Sequence, residues 1–175
     1  MENILKNIKA FVFDVDGVLT DGRVLVGLDG EFYRSFDEKD LFALRMASMN
    51  SYTLAVITGG GSQCIPEGLC KCGIKREDFY MKSRNKVLDF NNFCERYSLS
   101  PSEIMYFGDD TPDAEVLKIS GIGVCPSDAT LDARQSADII SDYPGGRGFV
   151  RDMIEKTLRL QGKWIFSTDQ YKSKF

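Results

Sequence analysis

Two carboxylates two residues apart, Asp14 and Asp16, stand at the end of an apolar run, Ala10-Phe11-Val12-Phe13, and meet Gly17. If the extended geometry of the run continues through them, both side chains leave the backbone on the same side. Like charges a few ångströms apart repel by about 4 kcal/mol at an effective dielectric near 20. Such a pair points to a bound hard cation or to chemistry at the carboxylates, although an acidic loop after a buried strand uses the same residues. A second acidic group, Asp109, Asp110 and Asp113, follows the apolar run Ile104-Met105-Tyr106-Phe107, and Thr58-Gly59 follows a third run, Thr53-Leu54-Ala55-Val56-Ile57. The chain has no histidine. That removes Ser–His and Cys–His nucleophilic systems, His-ligated zinc and imidazole acid–base catalysis. Carboxylates, lysine, hydroxyls and an oxygen-loving metal remain.

These groups need strand ends to hold them. Short apolar runs bounded by turn residues read as fully buried strands, here at 10–13, 53–57, 104–107 and 122–125, with shorter strands at 79–81 and 138–140. Helices are expected at 41–49, at 62–72 with Pro66 breaking or kinking it, at 85–97, from 112 to about 120, and at 149–160. Gly73 and Gly162 sit where helices close. Ser100-Pro101-Ser102-Glu103 reads as a capping box. Residues 23–36 look like two short strands around Leu28-Asp29-Gly30. This hairpin falls where a βαβ unit would already have entered its helix, so it is an insertion, and its exposed strands need cover, which copies of the same chain would give. Alternating strands and helices predict a parallel sheet covered on both faces. Its ligand site lies beyond the carboxyl ends of the strands, where Asp14/Asp16, Thr58 and Asp109/Asp110/Asp113 would meet.

At 175 residues, 43% hydrophobic and 27% charged, the chain reads as one soluble domain with a real core, residues 1–163, followed by a tail, 164–175. A net charge of -4 speaks against nucleic acid or a membrane surface as partner, and no apolar run approaches the roughly 18 residues of a membrane span. The N-terminal residues lack the long apolar stretch of a signal peptide, and a cytoplasmic location is expected. Five cysteines, Cys64, Cys70, Cys72, Cys94 and Cys125, have neither disulfide-framework nor zinc-site spacing and read as free thiols.

Phe13 to Thr20 (FDVDGVLT), Ile57-Thr58-Gly59, Lys86, and Gly108-Asp109-Asp110 with Asp113, in that order, resemble the four motifs of the haloacid dehalogenase (HAD) superfamily. The absence of a large cap and the early hairpin resemble its minimal-cap subgroup. VDGVLTDG at 15–22, FDEKD at 36–40 with Arg45, ITGG at 57–60 and GGRG at 145–148 are similar to the phosphatases of 3-deoxy-D-manno-octulosonate 8-phosphate (KDO 8-phosphate).

The resemblance implies an α/β fold, a doubly wound Rossmann-like parallel sheet with a small β-hairpin insertion in place of a cap domain. It implies a Mg²⁺-dependent phosphomonoesterase of lipopolysaccharide sugar biosynthesis that works through an aspartyl-phosphate and assembles as a homotetramer. Asp14 would be the nucleophile and Asp16 the acid and base. Asp14, Asp16 through its carbonyl, and Asp109 would hold Mg²⁺. Thr58 and Lys86 would hold the phosphoryl oxygens, with Asp110 and Asp113 orienting Lys86 or a metal-bound water. Substrate contacts would come from Asp16, Lys39, Asp40, Arg45, Thr58, Gly59, Lys86 and Arg147. The chain departs from the subgroup at Asp37, Lys39 and Leu41, where Asn, Arg and Gly are usual, and at Gly60 and Gly68, where arginines are frequent. Arg147, or a tail residue of a neighbouring copy, is the candidate for the missing cation. The departures keep open a nine-carbon sialic-type sugar acid 9-phosphate as substrate. Two other classes stand against the enzyme: a phosphorylatable receiver-like signalling module, which lacks an Asp two residues after its phosphorylated Asp, and a silent assembly protein.

Overall fold

The computed structural model describes residues 2–28, 30–62 and 64–175. Asp29 of the expected hairpin turn and the side chain of Cys64 lie outside the described residues. In chain order the elements are α1 (Glu2–Leu5), β1 (Ala10–Phe13), the hairpin strands β2 (Leu25–Val26) and β3 (Phe32–Tyr33), α2 (Glu38–Met49), β4 (Thr53–Ile57), α3 (Cys64–Leu69), β5 (Phe79–Tyr80), α4 (Lys86–Tyr97), β6 (Ile104–Phe107), α5 (Ala114–Ile119), β7 (Ile122–Cys125), α6 (Leu131–Ser136), β8 (Ile139–Ile140), α7 (Phe149–Leu160) and α8 (Thr168–Lys174).

Six strands form one sheet in the order β5-β4-β1-β6-β7-β8, every pairing parallel. Successive side chains of a strand point to opposite faces, and the two cores follow that alternation. Phe11 and Phe13 of β1 pack with α2 and α7 on one face, while Ala10 and Val12 pack with α4 and α5 on the other. Strands buried on both faces have no polar side, which is why these runs read as continuously apolar. The chain order reverses at β1, between β4 and β6, the place where such sheets open a crevice.

Register does the positioning. Phe13 lies level with Val56 of β4 and Phe107 of β6, so Asp14, Thr58 and Asp109 emerge together at one edge. Helix α2 starts three residues before the expected position because the Asp37 side chain accepts from the backbone N–H of Lys39 at 2.7 Å and caps it there. Pro66 does not break its segment. It falls in the first turn of α3, where a backbone N–H has no helical partner. A 3-10 turn over Cys70–Cys72 continues from there and is closed by Gly73 at φ 92°. The tail carries an unforeseen helix, α8, laid against α2 through Phe42, Phe166 and Tyr171. The hairpin stands apart as a separate two-stranded sheet whose Leu25, Val26 and Phe32 are exposed.

Candidate active site

A pocket of about 770 Å³ opens at the carboxyl edge of the sheet, lined by Asp14, Asp16, Thr58, Gly59, Gly60, Ser83, Arg84, Lys86, Asp109, Asp110 and Asp113 among others. Asp14 is buried at the end of β1, its N–H donating to the Phe107 carbonyl at 2.9 Å. Lys86, the first residue of α4 after its cap Asn85, is buried and reaches Asp14 Oδ2 at 3.0 Å and Asp113 Oδ1 at 2.7 Å. Asp113 is fully buried. Its Oδ1 also accepts from Tyr106 Oη at 2.6 Å, and its Oδ2 from the backbone N–H groups of Asp109 at 3.2 Å and Asp110 at 3.3 Å. Asp110 turns its own carboxylate to the Thr111 N–H and closes a capping box with Asp113.

Glycines let these groups close up. Gly17 has φ +86°, and a Cβ there would fall 2.0 Å from Asp109 Oδ2, so Asp109 reaches Asp14 only over a bare backbone. The GGRG stretch packs beneath the same loop. Gly146 N–H donates to the Val18 carbonyl at 2.9 Å, and a Cβ on Gly145 would fall 1.8 Å from the Gly17 carbonyl oxygen.

Carboxylate oxygens of Asp14, Asp109 and Asp113 lie within 4.8 Å of one another, and among the described residues Lys86 is the cation paired with them. Burial, followed by the Asp113 charge, raises Asp14 to about 6 against the pull of Lys86. Burial, then the charges of Asp14, Asp113 and Asp110, raises Asp109 to about 8. Burial alone would lower Lys86, but Asp14 and Asp113 outweigh it and its pKa is raised. Asp14 Oδ1 and Asp109 Oδ1 are buried with no hydrogen-bond partner among the described residues. Two aimed, unpartnered carboxylate oxygens in an all-oxygen cluster fit a small hard cation such as Mg²⁺. Asp113 has both oxygens engaged, so it holds Lys86 and the Asp109 loop rather than an ion.

Of the residues expected in the site, Asp14, Asp16, Thr58, Gly59, Lys86, Asp109, Asp110 and Asp113 line this pocket. Four expected substrate contacts do not. Asp40 is buried, and its two oxygens accept from the N–H groups of Gly148 at 3.1 Å and Arg151 at 2.7 Å. It joins α2 to the N-terminus of α7, which is the physical reason for an acidic residue there. Arg45 pairs with Glu38 at 2.6 Å in a groove beside α8. Lys39 and Arg147 line another groove, with Arg147 3.4 Å from Asp21.

Sequence reasoning missed Arg34, Ser83, Arg84 and the Tyr106 hydroxyl. Arg34 Nε donates to Asp16 Oδ1 at 2.5 Å and Nη2 to Oδ2 at 2.9 Å. Ser83 Oγ is buried in the pocket wall without a partner among the described residues, and Arg84 Nη1 donates to the Gly59 carbonyl at 3.3 Å. Only Tyr106 gave a signal, a hydroxyl in a strand buried on both faces, which needs an acceptor.

The haloacid dehalogenase-like hydrolase family matches residues 74–151. Over 158 residues, 90% of this chain and 83% of the relative, the sequence is 32% identical to the 3-deoxy-D-manno-octulosonate 8-phosphate phosphatase KdsC of Salmonella typhi. The crystal structure of the phosphatase of that name from Yersinia pestis has a TM-score of 0.89 at 27% identity, covering 93% of this chain and 86% of that one. The Moraxella catarrhalis phosphatase, solved in complex with magnesium ion, phosphate ion and KDO, has a TM-score of 0.89 at 26% identity, covering 98% of this chain and 95% of that one.

Proposed function

The chain belongs to the haloacid dehalogenase-like hydrolases, and we propose that it hydrolyses KDO 8-phosphate to the free sugar acid and phosphate, a step in making lipopolysaccharide sugar. It is a phosphoric monoester hydrolase with Mg²⁺ as cofactor. The observation that carries the reading is the Asp14 carboxylate, one oxygen on Lys86 at 3.0 Å and the other buried and unpartnered beside Asp109.

In the proposed reaction Asp14 attacks phosphorus, the bond from phosphorus to the sugar oxygen breaks, and an aspartyl-phosphate forms. Asp16 gives its proton to the leaving oxygen, then takes one from the water that attacks the same phosphorus, releasing phosphate and restoring Asp14. Lys86, fixed by Asp113, presents its ammonium to the phosphoryl oxygens. Thr58 Oγ1 accepts from the Gly60 N–H at 3.1 Å, which leaves its own proton to donate to the phosphoryl group. Asp14, the Asp16 carbonyl and Asp109 would hold Mg²⁺, which when bound supplies the positive charge that offsets the carboxylates and the transferring phosphoryl group.

Phosphate release is the direct test. KDO 8-phosphate with Mg²⁺ is turned over faster than a nine-carbon sialic-type sugar acid 9-phosphate, and EDTA abolishes both activities. Equal poor turnover of the two esters, or turnover that ignores the chelator, sinks the assignment. A receiver-like module and a silent assembly protein have no support from relatives that are phosphatases.

The chain is further proposed to work as a homotetramer in the cytoplasm. The exposed apolar hairpin, with Leu25 71% and Val26 62% accessible, supports assembly through that element, and sedimentation as a monomer would count against it. Free thiols at Cys70, Cys72, Cys94 and Cys125 suit a reducing compartment. No described helix is long and apolar enough to cross a membrane.

A further inference from the structure

Arg34 lies between the hairpin and α2, 18 residues beyond Asp16, yet two of its three guanidinium nitrogens are engaged on that active-site carboxylate and the third on the hairpin backbone. Nε and Nη2 form a fork onto the two oxygens of Asp16, and Nη1 donates to the Phe32 carbonyl at 3.1 Å. The Arg34 side chain is 10% exposed, and that of Asp16 34%. Asp16 and Gly60 line the active-site pocket, and Arg34 lies next to both in the wall of the neighbouring groove beside the hairpin. A Cβ at that position would fall 3.4 Å from Thr58 Oγ1, 3.7 Å from Arg34 Nη2 and 3.8 Å from Asp16 Oδ2. Glycine therefore keeps open a space bounded by the phosphoryl-binding hydroxyl, Asp16 and the guanidinium.

Two requirements conflict in this arrangement. Asp16 must reach the leaving oxygen of the ester, and it cannot do so while both of its oxygens sit on Arg34. A planar guanidinium fork is also the group that recognises a carboxylate most selectively, and the proposed substrate carries one. We propose that Arg34 is the specificity-determining residue for the sugar-acid carboxylate, and that the two carboxylates exchange. The substrate's carboxylate takes the fork, and the displaced Asp16 carboxylate takes a proton from solvent as it turns toward the ester, which is the proton it then gives to the leaving oxygen. The inference rests on the phosphatase reading above. Exchange replaces one guanidinium–carboxylate pair by another, so Arg34 is never left as an unpaired, mostly buried charge. An ester lacking a carboxylate has nothing to put in place of Asp16. Its phosphoryl group fits, but Asp16 stays held and turnover is slow.

The test compares kcat and kcat/KM for KDO 8-phosphate and for D-arabinose 5-phosphate, which has no carboxylate, in the wild type, R34Q and R34K. In R34Q the kcat/KM for the sugar acid ester falls on the order of 100-fold, the loss expected from removing charge-assisted hydrogen bonds. The kcat for arabinose 5-phosphate rises several-fold because Asp16 is released, so the preference collapses. R34K keeps the charge without the fork, and its preference lies about 10-fold below the wild type. That variant also decides the matter should R34Q fail to fold, since an R34K enzyme with wild-type preference overturns the proposal. An R34Q enzyme that loses both activities equally, or keeps its preference, overturns it as well. A wild-type chain that releases phosphate from neither ester removes the phosphatase reading itself, and this inference with it.

Discussion

Replacing Asp113 by asparagine removes one charge from the centre of the polar cluster and turns one acceptor into a donor. Asp113 accepts from Lys86 at 2.7 Å and Tyr106 at 2.6 Å on one oxygen, and from the N–H groups of Asp109 and Asp110 on the other. An asparagine must point its NH₂ either at the Lys86 ammonium or at the two backbone amides, so donors meet donors in both orientations. Each buried donor left without a partner costs about 1–3 kcal/mol, and breaking a buried ion pair by removing one partner costs about 3–5 kcal/mol. Lys86 keeps Asp14 at 3.0 Å, which sets the expected loss at the low end, about 3 kcal/mol. For a domain of this size each kcal/mol moves Tm by about 2–4 °C, so Tm falls by about 6–12 °C. Loosening Lys86 also lowers kcat by about 10- to 100-fold, the usual effect of losing a group that orients a catalytic residue. Thermal unfolding followed by circular dichroism, alongside phosphate release, reads both. A variant that melts within 2 °C of the wild type refutes the account of Asp113 as the anchor of the cluster.

Asp14→Asn abolishes hydrolysis while the circular dichroism spectrum is retained, and residual steady-state turnover above a few per cent would remove Asp14 as nucleophile. The same change takes one charge from a crowded acidic cluster, so in EDTA the variant melts no lower than the wild type. Metal-free stability depends on pH with a definite sign. Asp109 and Asp14, raised to about 8 and about 6 mainly by burial, bind protons more tightly folded than unfolded. Their contribution is full below about pH 4 and is lost as pH rises to about 8. In EDTA, Tm therefore declines across that window, and the gain from added Mg²⁺ is larger at pH 8 than at pH 5.5; a gain independent of pH contradicts the account. Gly17→Ala forces a Cβ into left-handed backbone 2.0 Å from Asp109 Oδ2, costs about 1 kcal/mol in backbone strain alone, and displaces Asp109. Its thermal shift with Mg²⁺ shrinks to near zero and activity falls more than 100-fold, whereas wild-type Mg²⁺ response would show that Asp109 does not need that close approach.

The sequence by itself determined the sheet strands and the edge at which the acidic residues gather. Ala10–Phe13, Thr53–Ile57 and Ile104–Phe107 are continuously apolar because both faces of a parallel strand are buried, and that signal is local. Asp14, Thr58 and Asp109 follow directly from it, since a residue just past a strand end is placed by the strand. Helix α7, Phe149–Leu160, matched its expected bounds because its apolar periodicity is strong. Only the tertiary structure decided which long side chains enter the site. Lys86, whose partner Asp113 lies 27 residues away, was expected in the site only through the motif resemblance, not through its spacing. Arg34 reaches Asp16 across 18 residues, and no spacing rule encodes where a flexible cation ends once the chain has folded back. The same holds for Asp40. Its place in the sequence suits substrate binding as well as it suits tying α2 to α7, and packing of those helices, not the residue's identity, assigned its carboxylate to two backbone amides.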